Sequence, residues 1–194
     1  MSATARREGH TALVHTAAAS NLGQMLNRLL SQQGQAIINV VRKPAQVELL
    51  GKLGAAHVLD SSTEDFDERL RALTAELGAS LLLDAVGGEM TGRVLGAMPD
   101  GSVARVYGML SSAPCQLDPN DLVFRGKKAE GFTMYEWLKT TSLLGQMRAV
   151  GKVQRLVSDV LATRVQYKSS LEDHEQALSM ALAKSSDGKV LFVP

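Results

Sequence analysis

Between Thr16 and Gly23 the chain reads Thr-Ala-Ala-Ala-Ser-Asn-Leu-Gly, a string of mostly small residues. Thr11-Ala-Leu-Val-His15, a short apolar run, precedes it, and Met25, Leu26, Leu29 and Leu30 follow at the spacing of one helical face. Gly34 supplies a helix stop, and Ala36-Ile-Ile-Asn-Val-Val41 is a second apolar run. Strand, small-residue turn, helix and strand make a βαβ unit. Such a turn has a chemical use: the helix N-terminus offers bare N–H groups and a positive dipole end to a phosphate. The expectation is a dinucleotide pyrophosphate site. Counted back from Gly23, the pattern G-x-G-x-x-G falls on Ala18, Ser20 and Gly23. Only the last glycine, which permits close helix–strand packing, is present. Alanine and serine are the smallest substitutes, and the plainer alternative is a tight turn without a ligand.

The residues after the second strand bear on which dinucleotide. An NAD site usually places Asp or Glu there, about twenty residues past the first glycine, to bind the ribose 2′-hydroxyl. This chain has Arg42 and Lys43, followed by Pro44 in a position suited to the first turn of a helix. Two cations at that point can pair with a 2′-phosphate. NADP(H) is therefore favoured, with NAD(H) the second choice; two solvated surface charges are the alternative.

Around this unit the composition is that of an ordinary globular chain. With 194 residues, 45% of them hydrophobic, and a net charge of +1, a single sizeable core is expected. Near-neutral charge gives no indication of nucleic acid or a membrane surface as partner. No apolar run approaches the ~20 residues that span a bilayer, and the N-terminus lacks a signal-peptide core. Cys115 is the only cysteine, so one chain can form neither a disulfide nor a cysteine-based zinc site. A cytoplasmic location is expected.

The elements that would hold the turn can be read in order. Gln46 to Leu53 reads as a helix closed by Gly54, and His57-Val-Leu59 as a brief strand. Ser62-Thr-Glu-Asp65 has capping-box spacing before a helix with Phe66, Leu70, Leu73 and Leu77 on its buried side. Ser80-Leu-Leu-Leu-Asp84 reads as a buried strand ending in Ala85-Val-Gly-Gly88, then a helix through Leu95 and Met98. Ser102 to Tyr107 is a fifth strand, 111–121 the longest loop, and Lys127 to Phe132 a short sixth strand. Tyr135 to Met147 and Val153 to Leu161 read as helices, and Thr163 to Tyr167 as extended. Ser170-Leu-Glu-Asp173 repeats the capping-box spacing before a helix to about Ala183, and Lys189 to Val193 is a closing strand. Residues 1–10 read as the remnant of an upstream connection, with a helix end over Ala3 to Glu8. Alternating strands and helices predict an α/β, Rossmann-type, doubly wound parallel sheet of about six strands with helices on both faces.

Several stretches together resemble the medium-chain dehydrogenase/reductase superfamily, in its quinone-oxidoreductase-like and zinc-alcohol-dehydrogenase-like members. They are Ala12-Leu-Val-His-Thr-Ala-Ala-Ala-Ser-Asn-Leu-Gly23, Lys52-Leu-Gly-Ala-Ala-His-Val-Leu-Asp60, Leu83-Asp-Ala-Val-Gly-Gly88, and Leu171-Glu-Asp with Ala177-Leu and Gly188-Lys-Val-Leu-Phe-Val193. Their order and spacing cover almost the whole chain. The resemblance implies a single NAD(P)-binding domain over residues 1–194. It implies hydride transfer between the nicotinamide and a small carbonyl, enal, quinone or alcohol. It implies that the pyrophosphate meets Ala19, Ser20, Asn21 and Leu22, and that Arg42 and Lys43 meet the 2′-phosphate. Val86 and Gly87 would line the cleft, with Tyr107, Gly108 and Met109 nearer the nicotinamide; no catalytic residue and no metal ligand is assigned. It further implies an upstream catalytic domain absent from this chain, a tail over 165–194 that returns to that domain, and a homodimer paired through the edge strand at Lys127 to Phe132.

Two other readings are open. A bare nucleotide-binding domain could act as a regulatory module that senses the cofactor without catalysis. Tyr135-Glu-Trp-Leu-Lys139 matches the Tyr-x-x-x-Lys pattern of short-chain dehydrogenases, in which lysine lowers the tyrosine pKa. That family's serine about a dozen residues upstream is missing, which weighs against the second reading.

Overall fold

The computed structural model describes residues 8–183, 186 and 188–193. The helix end expected over 3–8 lies, apart from Glu8, outside the described residues. Strands β1 (Ala12–His15), β2 (Ala36–Val41), β3 (His57–Asp60), β4 (Ala79–Asp84), β5 (Val103–Val106) and β6 (Lys128–Gly131) form one sheet, ordered β3-β2-β1-β4-β5-β6. Every pairing in it is parallel. Parallel neighbours require crossovers, and four helices supply those from β1 to β5: α1 (Asn21–Gln32), α2 (Pro44–Lys52), α3 (Phe66–Leu77) and α4 (Glu89–Ala97). The α/β reading of the sequence holds in both strand number and direction.

Side-chain alternation along the strands sorts the core onto two faces. Val14, Ile38, Leu82 and Ala104 pack with Phe66 and Leu70 of α3 and Val94 and Leu95 of α4. On the other face Leu13, Ile37, Leu81 and Leu83 pack with Leu26 and Leu30 of α1. Leu13, Leu30, Leu70, Leu81 and Leu82 have no exposed surface, and each contributes about 1.5–3 kcal/mol by burial. Because the strand order reverses between β1 and β4, the α1 and α4 crossovers diverge there and leave a crevice at the carboxyl ends of the strands.

Beyond β5 the chain continues through α5 (Pro119–Val123) to β6, then α6 (Met134–Thr140), α7 (Leu143–Leu156), β7 (Val165–Ser169), α8 (His174–Ala183) and β8 (Lys189–Phe192). Three details correct the sequence reading. The helix expected over Tyr135 to Met147 is broken at Thr141-Ser142, because Ser142 Oγ caps a new helix at Gly145 N. That second helix runs on to Leu156, so Val153 to Leu161 is no separate element. At 62–65 no capping box forms: Asp65 is the N-cap residue, and Ser62 turns back to Asp60 Oδ1 through its N–H and its hydroxyl. β7 and β8 pair with each other in parallel, outside the main sheet.

Candidate functional site

The turn after β1 is built by hydrogen bonds that leave its helix end open. Thr16 N donates to Leu83 O, Ala18 N to Val40 O, and Ser20 N to Ala17 O at 2.9 Å. Ser20 is the N-cap of α1 and its hydroxyl accepts from Gly23 N at 3.1 Å. The N–H groups of Asn21 and Leu22, in the first helical turn, have no intrahelical acceptor. No acidic residue occupies that turn, so nothing of the chain's own competes for the positive helix end. Gly23 is required for packing, since a Cβ there would fall 2.3 Å from Ala18 O. Ala17 adopts φ 51°, a left-handed conformation that costs a non-glycine residue about 1–2 kcal/mol. Backbone strain of this kind concentrates at ligand sites.

The turn opens on a cleft of about 380 Å³. On one side lie Thr16, Ala17, Ala19 and Ser20; at the far end Val40, Val41, Arg42, Gln46 and Ser61; opposite, Val86, Met90, Leu110 and Ser111, with Ser186 at the margin. Of the residues expected from the sequence, Ala19, Ser20, Arg42 and Val86 line it together. Asn21 and Leu22 stand beside it on the first turn of α1, where Leu22 is exposed and Asn21 Nδ2 donates to Thr163 Oγ1. Arg42 and Lys43 are both exposed, and Arg42 N donates to Gln46 Oε1 at 3.2 Å. Gly87 adopts φ 73° and sits in the turn that carries Val86.

Tyr107 and its neighbours divide. The Tyr107 hydroxyl lies 2.5 Å from His15 Nε2, the two rings stacked at 6.0 Å, so this side chain points into the α1 face of the sheet. Burial lowers the His15 pKa to about 4, partly opposed by the charge of Asp84, and burial pushes Tyr107 well above the ordinary tyrosine range. Gly108 lies against Ala85, where a Cβ would fall 2.7 Å from Ala85 O, and Met109 is exposed. The cleft instead receives Leu110 and Ser111, the next two residues, held by Leu110 N to Ala85 O and Ser111 N to Val86 O. Sequence reasoning missed these two, and Thr16, Ala17, Val40, Val41, Gln46, Ser61, Met90 and Ser186. Nothing in local spacing announces a loop residue that reaches a cleft through a backbone bond to another strand's turn.

Asp84 ends β4 fully buried beneath the turn. Its Oδ1 accepts from Thr16 Oγ1 at 2.6 Å and from Val86 N at 2.8 Å. Its Oδ2 accepts from Thr91 Oγ1 at 2.5 Å and from Gly87 N at 3.2 Å. A second, smaller hollow of about 260 Å³ at β6 is lined by Arg105, Glu130, Phe132, Thr133 and Trp137 and shares no residue with the cleft. Tyr135 and Lys139 stand together, the ammonium 4.1 Å from the ring centre, but Lys139 pairs with Glu136 and neither lines either hollow.

Comparison with known proteins points one way. The zinc-binding dehydrogenase family profile matches residues 22–148. Mitochondrial enoyl-[acyl-carrier-protein] reductase of Xenopus tropicalis is 26% identical over 180 residues, 89% of this chain and 51% of that protein. Acrylyl-CoA reductase of Ruegeria pomeroyi is 31% identical over 106 residues, 54% of this chain and 31% of that protein. A solved structure of a candidate NADPH:quinone reductase from Mesorhizobium loti matches with TM-score 0.86 at 29% identity, over 99% of this chain and 56% of its own. The chain spans about half the length of the relatives it matches most fully. For a zinc site the donors do not fit: Cys115 is the single cysteine, and among the described residues no group of three His, Cys, Asp or Glu could hold a metal ion.

Proposed function

The chain belongs to the zinc-binding dehydrogenase family, within the medium-chain dehydrogenase/reductase superfamily, and from that premise we propose that it is the NADP(H)-binding domain of an oxidoreductase. The observation that carries this reading is the open N-terminus of α1 facing a cleft whose far end holds Arg42. Asn21 and Leu22 N–H groups receive the pyrophosphate, and the Arg42 guanidinium, with Lys43 beside it, pairs with the 2′-phosphate. Val86 and Gly87 border the nicotinamide end, with the 107–109 segment leading into Leu110 and Ser111 on the same side. The bound nicotinamide supplies hydride; the residues of this chain bind and orient it. Relatives named as acrylyl-CoA, enoyl and 2-haloacrylate reductases support an activated enal-type or thioester-conjugated alkene as substrate of the intact protein, with quinones next. A regulatory module without catalysis is the less supported reading, since these relatives are named as reductases.

The same reading assigns substrate contacts to an upstream catalytic domain, to which residues 165–194 return. It pairs two copies through β6 and places them in a reducing compartment such as the cytoplasm, in keeping with a single cysteine. Titrating the chain with NADPH and NADH, alongside Arg42→Ala, tests the cofactor assignment. NADPH should bind more tightly, and Arg42→Ala should cost NADPH about 1.5–3 kcal/mol, tenfold or more in Kd, with NADH little changed. Equal wild-type affinities for both cofactors would remove the argument.

A further inference from the structure

The geometry points to Asp84 as the positioning residue that sets the width of the cofactor cleft, by tying its two walls to one buried carboxylate. The inference rests on the reading of the cleft as a dinucleotide site. Asp84 touches neither the cleft nor anything in it. One oxygen holds Thr16, the last residue before the left-handed Ala17, and the other holds Thr91 on α4. Val86 N and Gly87 N, on the opposite wall, donate one to each oxygen. Thr16 Oγ1 in turn accepts from Ala85 N at 2.9 Å, so the two walls are also joined directly through the hydroxyl that Asp84 orients.

The link extends to the third side of the cleft. Ser111 N and Leu110 N donate to Val86 O and Ala85 O, and Thr91 Oγ1 lies 3.3 Å from Cys115 Sγ on the same loop. All four partners of Asp84 are donors towards it, and two of them are backbone N–H groups that can do nothing else. Four donors around an acceptor-only carboxylate leave no slack: the turn before α1, the 85–88 turn and the 109–115 loop share one origin. Replacing the carboxylate with an amide puts an NH₂ where two donors already stand, a backbone N–H that cannot turn away and a threonine hydroxyl that must rotate. A change at a residue beneath the site then alters the distance between pyrophosphate donors and the nicotinamide wall.

Asp84→Asn, read by amide hydrogen exchange without ligand and by NADPH titration below its melting temperature, tests this. Exchange should accelerate together at Ala18 and Ser20 on one wall and at Leu110 and Ser111 on the other, and the Kd for NADPH should rise at least tenfold. Acceleration confined to Val86 and Gly87, the amides bonded to the carboxylate itself, with Kd unchanged, would overturn it and leave Asp84 a local turn anchor. If wild type binds no dinucleotide, the cofactor reading fails, while the exchange pattern still decides whether one residue couples the walls. Thr91→Val keeps the carboxylate, removes one hydroxyl and carries the same two readouts at smaller amplitude should the asparagine variant not fold.

Discussion

His15 shows how one buried side chain ties the site to the pH dependence of folding. The ring is fully buried, its Nδ1 has no hydrogen-bond partner among the described residues, and its pKa stands near 4 against 6.5 for a free histidine. Between those values the unfolded chain binds a proton that the folded chain does not, so stability rises with pH across that window. The contribution is fully present above pH 6.5 and is lost as pH falls towards 4, on the order of 3 kcal/mol at about 1.4 kcal/mol per pH unit. Urea unfolding at pH 4.5, 5.5 and 7.5 should show that slope in wild type and a flatter one in His15→Leu. Parallel slopes in the two proteins would show that His15 is not responsible. Ala17 stands at the same scale. Its positive φ is held by Ala18 N to Val40 O and Ser20 N to Ala17 O, so the strain belongs to the geometry that opens the helix end to a ligand.

Among the elements, β6 is an edge strand with every residue exposed. It is the last strand of the six, and only one side is paired. Lys128 N donates to Ser102 O and Phe132 N to Val106 O, so by alternation Gly131 N points away from the sheet. Pairing with a second copy would satisfy that row of groups. Gly131→Pro removes an outward donor, and a Cβ there meets nothing within 4 Å, so the fold should survive. Sedimentation equilibrium should give a dimer for wild type and a weakened one for the proline variant; a monomeric wild type would end the proposal, and an unaffected dimer would move the interface. The elements also show what was legible. Apolar runs placed β1, β2 and β4, because a parallel strand buried on both faces writes itself as continuous Val, Ile and Leu, whereas β6, Lys-Ala-Glu-Gly and exposed throughout, carries no such run. Pro44 marked the start of α2 through its fixed φ. The break at Thr141-Ser142 was less visible, since the apolar spacing continues across it and only the cap of Ser142 interrupts the backbone. Ala19, Ser20 and Arg42 could be placed from a local motif. Leu110, Ser111 and Ser186 reach the cleft through tertiary bonds, for which linear spacing carries no signal.

For the whole molecule, the middle of the sheet contrasts with the chain beyond its β6 edge. Around β1 and β4 the strands are covered on both faces, whereas α6 and α7 bury none of their described side chains. Leu143, Met147 and Val150 share one stripe of α7 and all remain more than half exposed. The proposed two-part enzyme accounts for that stripe, because relatives about twice this length carry further chain that could cover it. Because this chain supplies both the α1 end and Arg42, the proposal expects it to bind the cofactor without that cover. The most direct measurement is therefore backbone amide NMR of the chain titrated with NADPH. The largest shifts should fall on Asn21 and Leu22 at the α1 end, with Arg42, Val86 and Ser111 moving along with them. Shifts centred on Arg105, Glu130 and Trp137 at the β6 hollow, or none at saturating cofactor, would contradict the account.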